Sequence, residues 1–184
     1  MRKILLFLGI FAVSSFKVQA ENTPGKAKEQ ASVAQSGWVY TTTKSDGLDE
    51  VPIKGAVLQS KNSLSLYWPY DGINYGTLYI RKWGDNDIEV ALGLDKGNFI
   101  DPEHGSILRE YIRTVFDQKD RDRFAIERVG KRGLRPGLVV ITGTNSFLSQ
   151  LQGSKTLKIE VKIRKEGLKV LEFDVAGFDL SKLE

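Results

Sequence analysis

The last thirty residues of the chain alternate between apolar and charged side chains. The apolar positions of the first run occur at every second residue: Leu157, Ile159, Val161 and Ile163. Successive side chains of a strand point to opposite faces, so this period of two predicts a strand with one buried face. Lys165-Glu166-Gly167 predicts a tight turn, and residues 168–175 repeat the alternation. The pattern predicts a β-hairpin whose apolar face needs the rest of the chain as cover.

Several short runs rich in β-branched and aromatic residues precede this hairpin, and Gly, Pro, Asp and Asn separate them. The predicted strands are residues 38–43, 54–60, 63–68, 76–83, 87–94, 107–116 and 138–142. One short helix is predicted from an apolar face at Phe147, Leu148 and Leu151, with Thr144 or Asn145 as its cap and Gly153 as its end. Residues 106–111 fit a second helical turn as well as a strand.

These elements predict a mainly β protein. The expected architecture is a single antiparallel β-sandwich or barrel-like domain with one or two short helices, because many short strands alternate with turn sequences.

The first twenty residues have the pattern of a secretory signal. Arg2 and Lys3 precede an apolar run from residue 4 to 16, and Val18-Gln19-Ala20 offers small residues for a signal peptidase. The run is shorter than the roughly 20 residues that span a bilayer. We therefore expect cleavage after Ala20, a periplasmic location, and no integral membrane segment after cleavage. Residues 21–36 are polar and predict a flexible leader, which places the folded domain at residues 37–184.

Removing the signal almost removes the net charge. The chain has 27 Lys and Arg against 23 Asp and Glu, and three of the basic residues lie in the signal, which leaves 24 against 23, a formal +1. This balance gives no support for a nucleic-acid partner. The sequence contains no cysteine, so the domain is expected to fold without disulfides.

Catalytic and metal-binding motifs are scarce. His104 is the only histidine, and Asp101, Glu103 and His104 are better explained as a solvated loop than as a metal site. No phosphate-binding glycine motif occurs, so no metal and no cofactor are predicted. Paired carboxylates remain an open alternative, with Asp117 and Asp174 each beside a phenylalanine. A structural role, in which these acids accept hydrogen bonds from Arg81 or Arg113 inside the fold, is the preferred interpretation.

Two segments are candidate binding surfaces. The first is an aromatic turn with four aromatic residues in nine positions: Tyr67, Trp68, Tyr70 and Tyr75. Exposed aromatic side chains suit sugar stacking or a protein contact, although they also plug the ends of sandwiches. The second is a charged arm at residues 117–137, with seven basic and four acidic residues. The preferred interpretation of this arm is a mobile, solvated loop. The alternative is that its net +3 charge meets an acidic partner, anionic lipid or a cell-wall polymer, and the basic candidates for that contact are Arg121, Arg123, Arg128, Lys131 and Arg132.

The order of these features resembles a known family. Five segments follow one another along the chain: Leu78-Tyr79-Ile80-Arg81, Arg113-Thr114-Val115-Phe116-Asp117, the helix at residues 147–151, Lys158-Ile159-Glu160-Val161, and the ending Phe173-Asp174-Val175-Ala176-Gly177-Phe178. This series is similar to the C-terminal domain of the type VI secretion-associated TagO/VasI-like proteins and to small exported proteins of bacteria, phages and plasmids. The resemblance covers residues 38–184 and implies a periplasmic β-domain with an accessory or binding role. Relatives often carry a cysteine where this chain has Lys82.

The sequence therefore predicts an exported, non-catalytic accessory or binding protein of an envelope or secretion process. Its expected partner is a protein or another component of the cell envelope. One alternative is an inhibitor or immunity protein that blocks a cell-wall hydrolase. Another is a glycan-active enzyme that uses carboxylates.

Overall fold

Eleven strands account for most of the chain that the structure describes. The structure is a computed structural model, and it describes residues 37–44, 51–84, 87–99, 110–128 and 137–184. Within these ranges the strands are β1 Val39–Lys44, β2 Pro52–Gln59, β3 Leu64–Leu66, β4 Gly72–Asn74, β5 Gly76–Trp83, β6 Asp87–Leu94, β7 Glu110–Phe116, β8 Asp122–Arg128, β9 Leu138–Ile141, β10 Thr156–Ile163 and β11 Gly167–Asp174. Helix α1 is Thr144–Leu151, and a short 3-10 helix, Leu180–Leu183, lies near the end of the chain.

Nine of these strands form one antiparallel sheet in the order β1-β2-β5-β6-β9-β8-β7-β10-β11. The remaining two, β3 and β4, pair with each other as a separate hairpin. Consecutive strands are neighbours in most of the sheet, while β9 lies between β6 and β8. The predicted mainly β, antiparallel, sandwich or barrel-like class is confirmed.

The last hairpin supplies one wall of the core. Leu157 of β10 lies opposite Phe173 of β11, and Ile159 lies opposite Leu171. These four side chains are at most 1% exposed, as the alternation predicts. The charged residues between them lie on the outer face. Burial of each such side chain contributes about 1.5–3 kcal/mol, so this hairpin is a large part of the stability of the fold.

Contacts beyond the main ladders bring the two ends of the sheet together. The Lys61 N–H donates to the Glu172 carbonyl at 2.7 Å. The Asn62 side chain donates from Nδ2 to the Val170 carbonyl and accepts from the Glu172 N–H at Oδ1, both at 2.8 Å. At the far end of β11, Trp38 Nε1 donates to the Val175 carbonyl at 3.2 Å. The sheet is therefore rolled, with the end of β2 against the outer edge of β11.

The two ends of the rolled sheet are covered by different elements. At the end marked by Ile163, Leu64 and Leu66 of the β3–β4 hairpin are buried. At the opposite end of β10, Phe147 of α1 makes edge-to-face contacts with Phe116 and Phe124, with ring centroids 5.4 and 5.3 Å apart. This geometry favours aromatic pairs, and it positions the helix over its end of the core.

The charged arm contains a strand, so the expectation of a mobile loop over residues 117–137 is wrong for its first half. Strand β8 pairs with β7 on one side and with β9 on the other. Phe124 is buried, and Ile126 packs against the core. Exposed charged residues flank these two positions and conceal the alternation. Residues 129–136 lie outside the described ranges.

Two local predictions need correction. Helix α1 has Gly143 as its N-cap, at φ 77°, and no side-chain cap bond, so neither Thr144 nor Asn145 caps it. Gly153 does follow the helix with φ 84°, which suits glycine at a helix end. Strand β4, Gly72–Asn74, lies within the nine residues of the aromatic turn and is absent from the predicted strands. Residues 110 and 111, which the alternative helical turn includes, belong to β7.

Truncating Phe173 tests how much this hairpin contributes to the stability of the fold. Phe173 is 1% exposed, so Phe173→Ala should lower the free energy of unfolding by about 3–5 kcal/mol. The matched control is Leu168→Ala on the same strand, where the side chain is 61% exposed. It should change stability by less than about 0.5 kcal/mol. Urea denaturation followed by circular dichroism measures both. Equal effects of the two substitutions would contradict the register described here.

Candidate binding surface

The aromatic turn lies between β3 and β4, and its side chains divide into two groups. Tyr67 and Trp68 project into solvent, with 78% and 73% of their surface exposed. Tyr70 packs partly against the core, and Tyr75 is partly buried, with its N–H donated to Asp95 Oδ2 at 3.0 Å. Only half of the predicted aromatic candidates are therefore available as a surface.

Three aliphatic residues extend this surface. Ile73 of β4 is 68% exposed, and Leu168 and Val170 on the outer face of β11 are 61% and 40% exposed. None of the three was predicted as part of a binding surface, although the alternation of β11 places Leu168 and Val170 on the face opposite Leu171 and Phe173. We call Tyr67, Trp68, Ile73, Leu168 and Val170 the apolar patch.

The patch forms because two segments run side by side in opposite directions. Asn62 bonds to Val170, and five residues later the Tyr67 N–H donates to Glu166 Oε1 at 2.6 Å. The chain leading into the aromatic turn is thus tied to β11 and to the turn before it. This arrangement places the start of the aromatic turn beside the β10–β11 turn and the outer face of β11, where Leu168 and Val170 lie.

Glu166 is the main anchor of the aromatic turn. Its side chain is 3% exposed, and its second oxygen lies 3.3 Å from Lys169 Nζ. A carboxylate that is both paired and accepting a backbone N–H is held in one position. Lys165 Nζ lies 4.9 Å from the centroid of the Trp68 ring, a cation–π arrangement that orients the indole. The backbone at Tyr67 and the ring of Trp68 are therefore held in place, while both side chains stay exposed.

The buried side-chain amide of Asn74 donates hydrogen bonds to the backbone of the turn. Asn74 is fully buried, and its Nδ2 donates to the carbonyls of Tyr70 and Gly72 at 3.2 and 3.0 Å. Two carbonyls of the turn are thereby satisfied within the hairpin, while Asn74 Oδ1 is buried without a hydrogen-bond partner among the described residues.

The basic candidates of the arm lie away from this patch. Arg121 and Arg123 are exposed, in the β7–β8 turn and at the start of β8. Strand β7 ends where Phe116 lies opposite Leu157, at the start of β10, whereas the patch adjoins the end of β10. Arg128 lies opposite Val139 in the β8–β9 ladder. Lys131 and Arg132 lie outside the described residues. Within the described part of the arm, Arg121 and Arg123 therefore lie apart from the aromatic turn.

Arg81 and Arg113 both form ion pairs with carboxylates, but the partners are not the predicted ones and the pairs lie on the outer face of the sheet. Arg81 pairs with Glu89 across β5 and β6, and Arg113 Nη1 lies 2.8 Å from Glu160 Oε1 across β7 and β10. Neither arginine pairs with Asp117 or Asp174. The side chains of both arginines stay 28% and 45% exposed on the outer face, so the expectation of pairs inside the fold is wrong. Pairs this exposed contribute at most about 1 kcal/mol.

Asp117 has a structural role at the start of β10. Its Oδ1 accepts from the N–H groups of Lys155 and Thr156, both at 2.8 Å, and from Thr156 Oγ1 at 3.2 Å. The hydrogen bonds from Thr156 and then from Lys155 lower the pKa of this carboxyl. Asp174 is exposed on the outer face at the end of β11. A carboxylate that is ionised and committed to three donors is unsuited to act as a general acid near neutral pH.

Among the described residues, no group of three or more His, Cys, Asp or Glu side chains is arranged to hold a metal ion. Asp101, Glu103 and His104 lie outside those ranges. Within the described part of the chain, no helix has both the length and the apolar character needed to cross a membrane.

Comparison with protein-family models, with curated protein sequences and with solved structures finds no match to this chain. The resemblance to the secretion-associated family therefore stays a prediction.

Asp117 should make stability depend on pH. Because the folded state lowers its pKa, its ionised form stabilises the fold above the unfolded pKa of about 3.9, and this contribution disappears as pH falls through the folded pKa. Asp117→Asn should lower the melting temperature at neutral pH, and the gap to wild type should narrow in acid.

Thermal denaturation of both proteins between neutral and strongly acidic pH measures this gap. Asp120→Asn, an exposed acid three residues further along the same turn, is the control and should show little change at any pH. A gap for Asp117→Asn that stays constant with pH would show that the carboxyl has no role as a charged acceptor.

Proposed function

We propose that this chain is an exported, non-catalytic binding protein of an envelope or secretion process in the periplasm, and that the apolar patch is its binding surface. The observation that carries the proposal is the concentration of exposed apolar side chains. Seven large apolar residues of the described ranges are exposed, and five of them form the patch. Scattered exposed apolar residues are ordinary, but a contiguous group marks an interaction surface.

The order within the patch supports the same proposal. Glu166 accepts the backbone N–H of Tyr67, and Lys165 Nζ lies over the Trp68 ring, so the backbone of the turn and the indole ring are already positioned. A side chain that is already ordered loses less conformational entropy when it binds. Tyrosine and tryptophan are also the residues that contribute most per side chain to binding surfaces.

The carboxylates favour a binding role over a catalytic one. Glycoside hydrolysis by paired carboxylates needs one acid with a raised pKa. Asp117, one of the two acids singled out by sequence, has a lowered pKa and three structural donors.

An inhibitor of a cell-wall hydrolase is the second candidate. Such an inhibitor would also bind through a projecting turn, and the exposure of Trp68 at such a turn favours it.

Site-specific photocrosslinking in intact cells tests the proposal. A benzophenone amino acid at position 67 should form adducts with an envelope component, because Tyr67 lies in the patch and is 78% exposed. The same group at position 39 is the matched control, since Val39 is an exposed apolar residue near the opposite end of β11. Adducts of equal kind and yield at both positions, or none at position 67, would overturn the assignment of the patch. A single adduct with a cell-wall hydrolase would favour the inhibitor.

A further inference from the structure

We propose that the apolar patch docks the protein on an anionic membrane surface. Its apolar side chains would enter the boundary between headgroups and acyl chains, and the surrounding lysines would contact lipid phosphates. This inference rests on the proposed binding function and names the partner of the same surface. It describes a peripheral contact, made by side chains of a hairpin and of one strand face.

The shape of the patch fits a flat partner. Tyr67, Trp68 and Ile73 are each more than two-thirds exposed, so they project from the surface and do not line a cleft. Small ligands bind in concave sites that bury most of their area. A projecting group of apolar side chains instead needs a partner that it can enter or that can fold around it, and a lipid layer is such a partner.

The residue types fit the interfacial region of a bilayer. Tryptophan and tyrosine are enriched where the hydrocarbon meets the headgroups, because their rings are apolar and carry one polar atom. Ile73, Leu168 and Val170 add purely aliphatic surface beside them. This combination is the one that peripheral membrane-binding surfaces use.

Positive charge surrounds the patch. Lys165 lies over the Trp68 ring, Lys162 lies opposite Leu168 in the hairpin ladder, and Lys61 precedes the Asn62 contact with β11. Arg164 follows β10, and Lys96 donates to the Asp71 carbonyl at 3.5 Å in the aromatic turn. The exposed cations of this rim are Lys61, Lys96, Lys162, Arg164 and Lys165.

The nearby acidic residues do not neutralise the positive charge of this rim. Glu166 is buried against Lys169, Glu160 is paired with Arg113, and Glu172, two residues from Val170 on the same face, is paired with Lys158. Asp71 and Asp95 are exposed, and Asp95 accepts the Tyr75 N–H. Exposed cations thus outnumber exposed acids around the apolar centre, and the complementary partner is anionic.

The predominance of lysine over arginine in the rim favours a lipid surface over an acidic protein as the partner. Protein interfaces are enriched in arginine and depleted in lysine. The rim has one arginine and four lysines. Lysine stems can lie along apolar surface while the ammonium groups reach lipid phosphates, and each lysine near an anionic bilayer strengthens binding about fivefold. The composition therefore favours anionic lipid.

Vesicle binding tests this inference with the exported protein, purified after processing so that the apolar residues 4–16 are absent. Co-sedimentation is measured with phosphatidylcholine vesicles that contain or lack phosphatidylglycerol. Binding should require phosphatidylglycerol, weaken with added salt, and shift the tryptophan emission to the blue, because Trp68 is the most exposed tryptophan of the fold. Trp68→Ala should weaken binding about tenfold.

Charge and apolar contributions are separated by two further variants. Lys162→Gln with Arg164→Gln, which leaves the Lys165 contact with Trp68 intact, should weaken binding to anionic vesicles more than about tenfold, since two charges are lost. Ile73→Ser should weaken it with the rim intact. The matched controls are Val39→Ser, an exposed apolar residue outside the patch, and Lys119→Gln, an exposed lysine of the β7–β8 turn, and both should bind like wild type.

Three results would overturn the inference: no binding to anionic vesicles, equal binding to neutral vesicles, or patch variants that bind like wild type. The crosslinking experiment separates this failure from failure of the proposed function. A protein adduct at position 67 without vesicle binding would keep the patch as a binding surface and assign it to a protein partner. A lipid adduct at position 67 supports the membrane surface directly.

Discussion

Hydrogen bonds from Lys61 and Asn62 to the outer edge of β11 hold the rolled sheet together. A strand at a sheet edge presents unpaired N–H and C=O groups, which need partners when they are shielded from water. Asn62 satisfies two of them with one side chain, and Lys61 satisfies a third with its backbone. The same closure brings Leu171 against the start of β5. A Cβ atom at Gly76 would lie 2.5 Å from Leu171 Cδ1, so glycine allows the close approach.

This closure also creates the surface that we assign to binding. Asn62 lies two residues before β3, and the segment that it ties to β11 leads through β3 into the aromatic turn. Glu166 then fixes Tyr67 from the turn between β10 and β11. Because the β3–β4 hairpin pairs with no strand of the large sheet, these contacts decide where its exposed side chains lie. Fold closure and the placement of the patch therefore have the same physical origin.

The sequence predicts elements well where one face is apolar and the other charged. Strands β5, β6 and β10 and the return strand β11 follow from such alternation, and all of them contribute to the core. Strand β8 is missed because only Phe124 and Ile126 point inward among many charges. Pairing across β6, β9 and β8 depends on contacts distant in sequence, which no local pattern encodes.

The candidate site is less predictable than the fold. The aromatic turn is visible in the sequence, but the outward position of Leu168 and Val170 depends on β11 having Leu171 and Phe173 inside. The roles of Asn62 and Glu166 are invisible locally, since each binds a segment about 100 residues away. Arg81 and Arg113 were expected to pair with Asp117 or Asp174, but cross-strand neighbours are nearer partners.

Amide hydrogen exchange in Asn62→Ala tests most directly whether this one closure both joins the sheet and places the patch. The variant should exchange faster at the Glu172 amide, which loses its acceptor, and at the Tyr67 amide of the aromatic turn. The amide of Ile159, in the centre of β10, should stay as protected as in wild type. Asn145→Ala, an exposed asparagine of α1, is the control. Unchanged exchange at Glu172 and Tyr67 in folded Asn62→Ala would contradict the account.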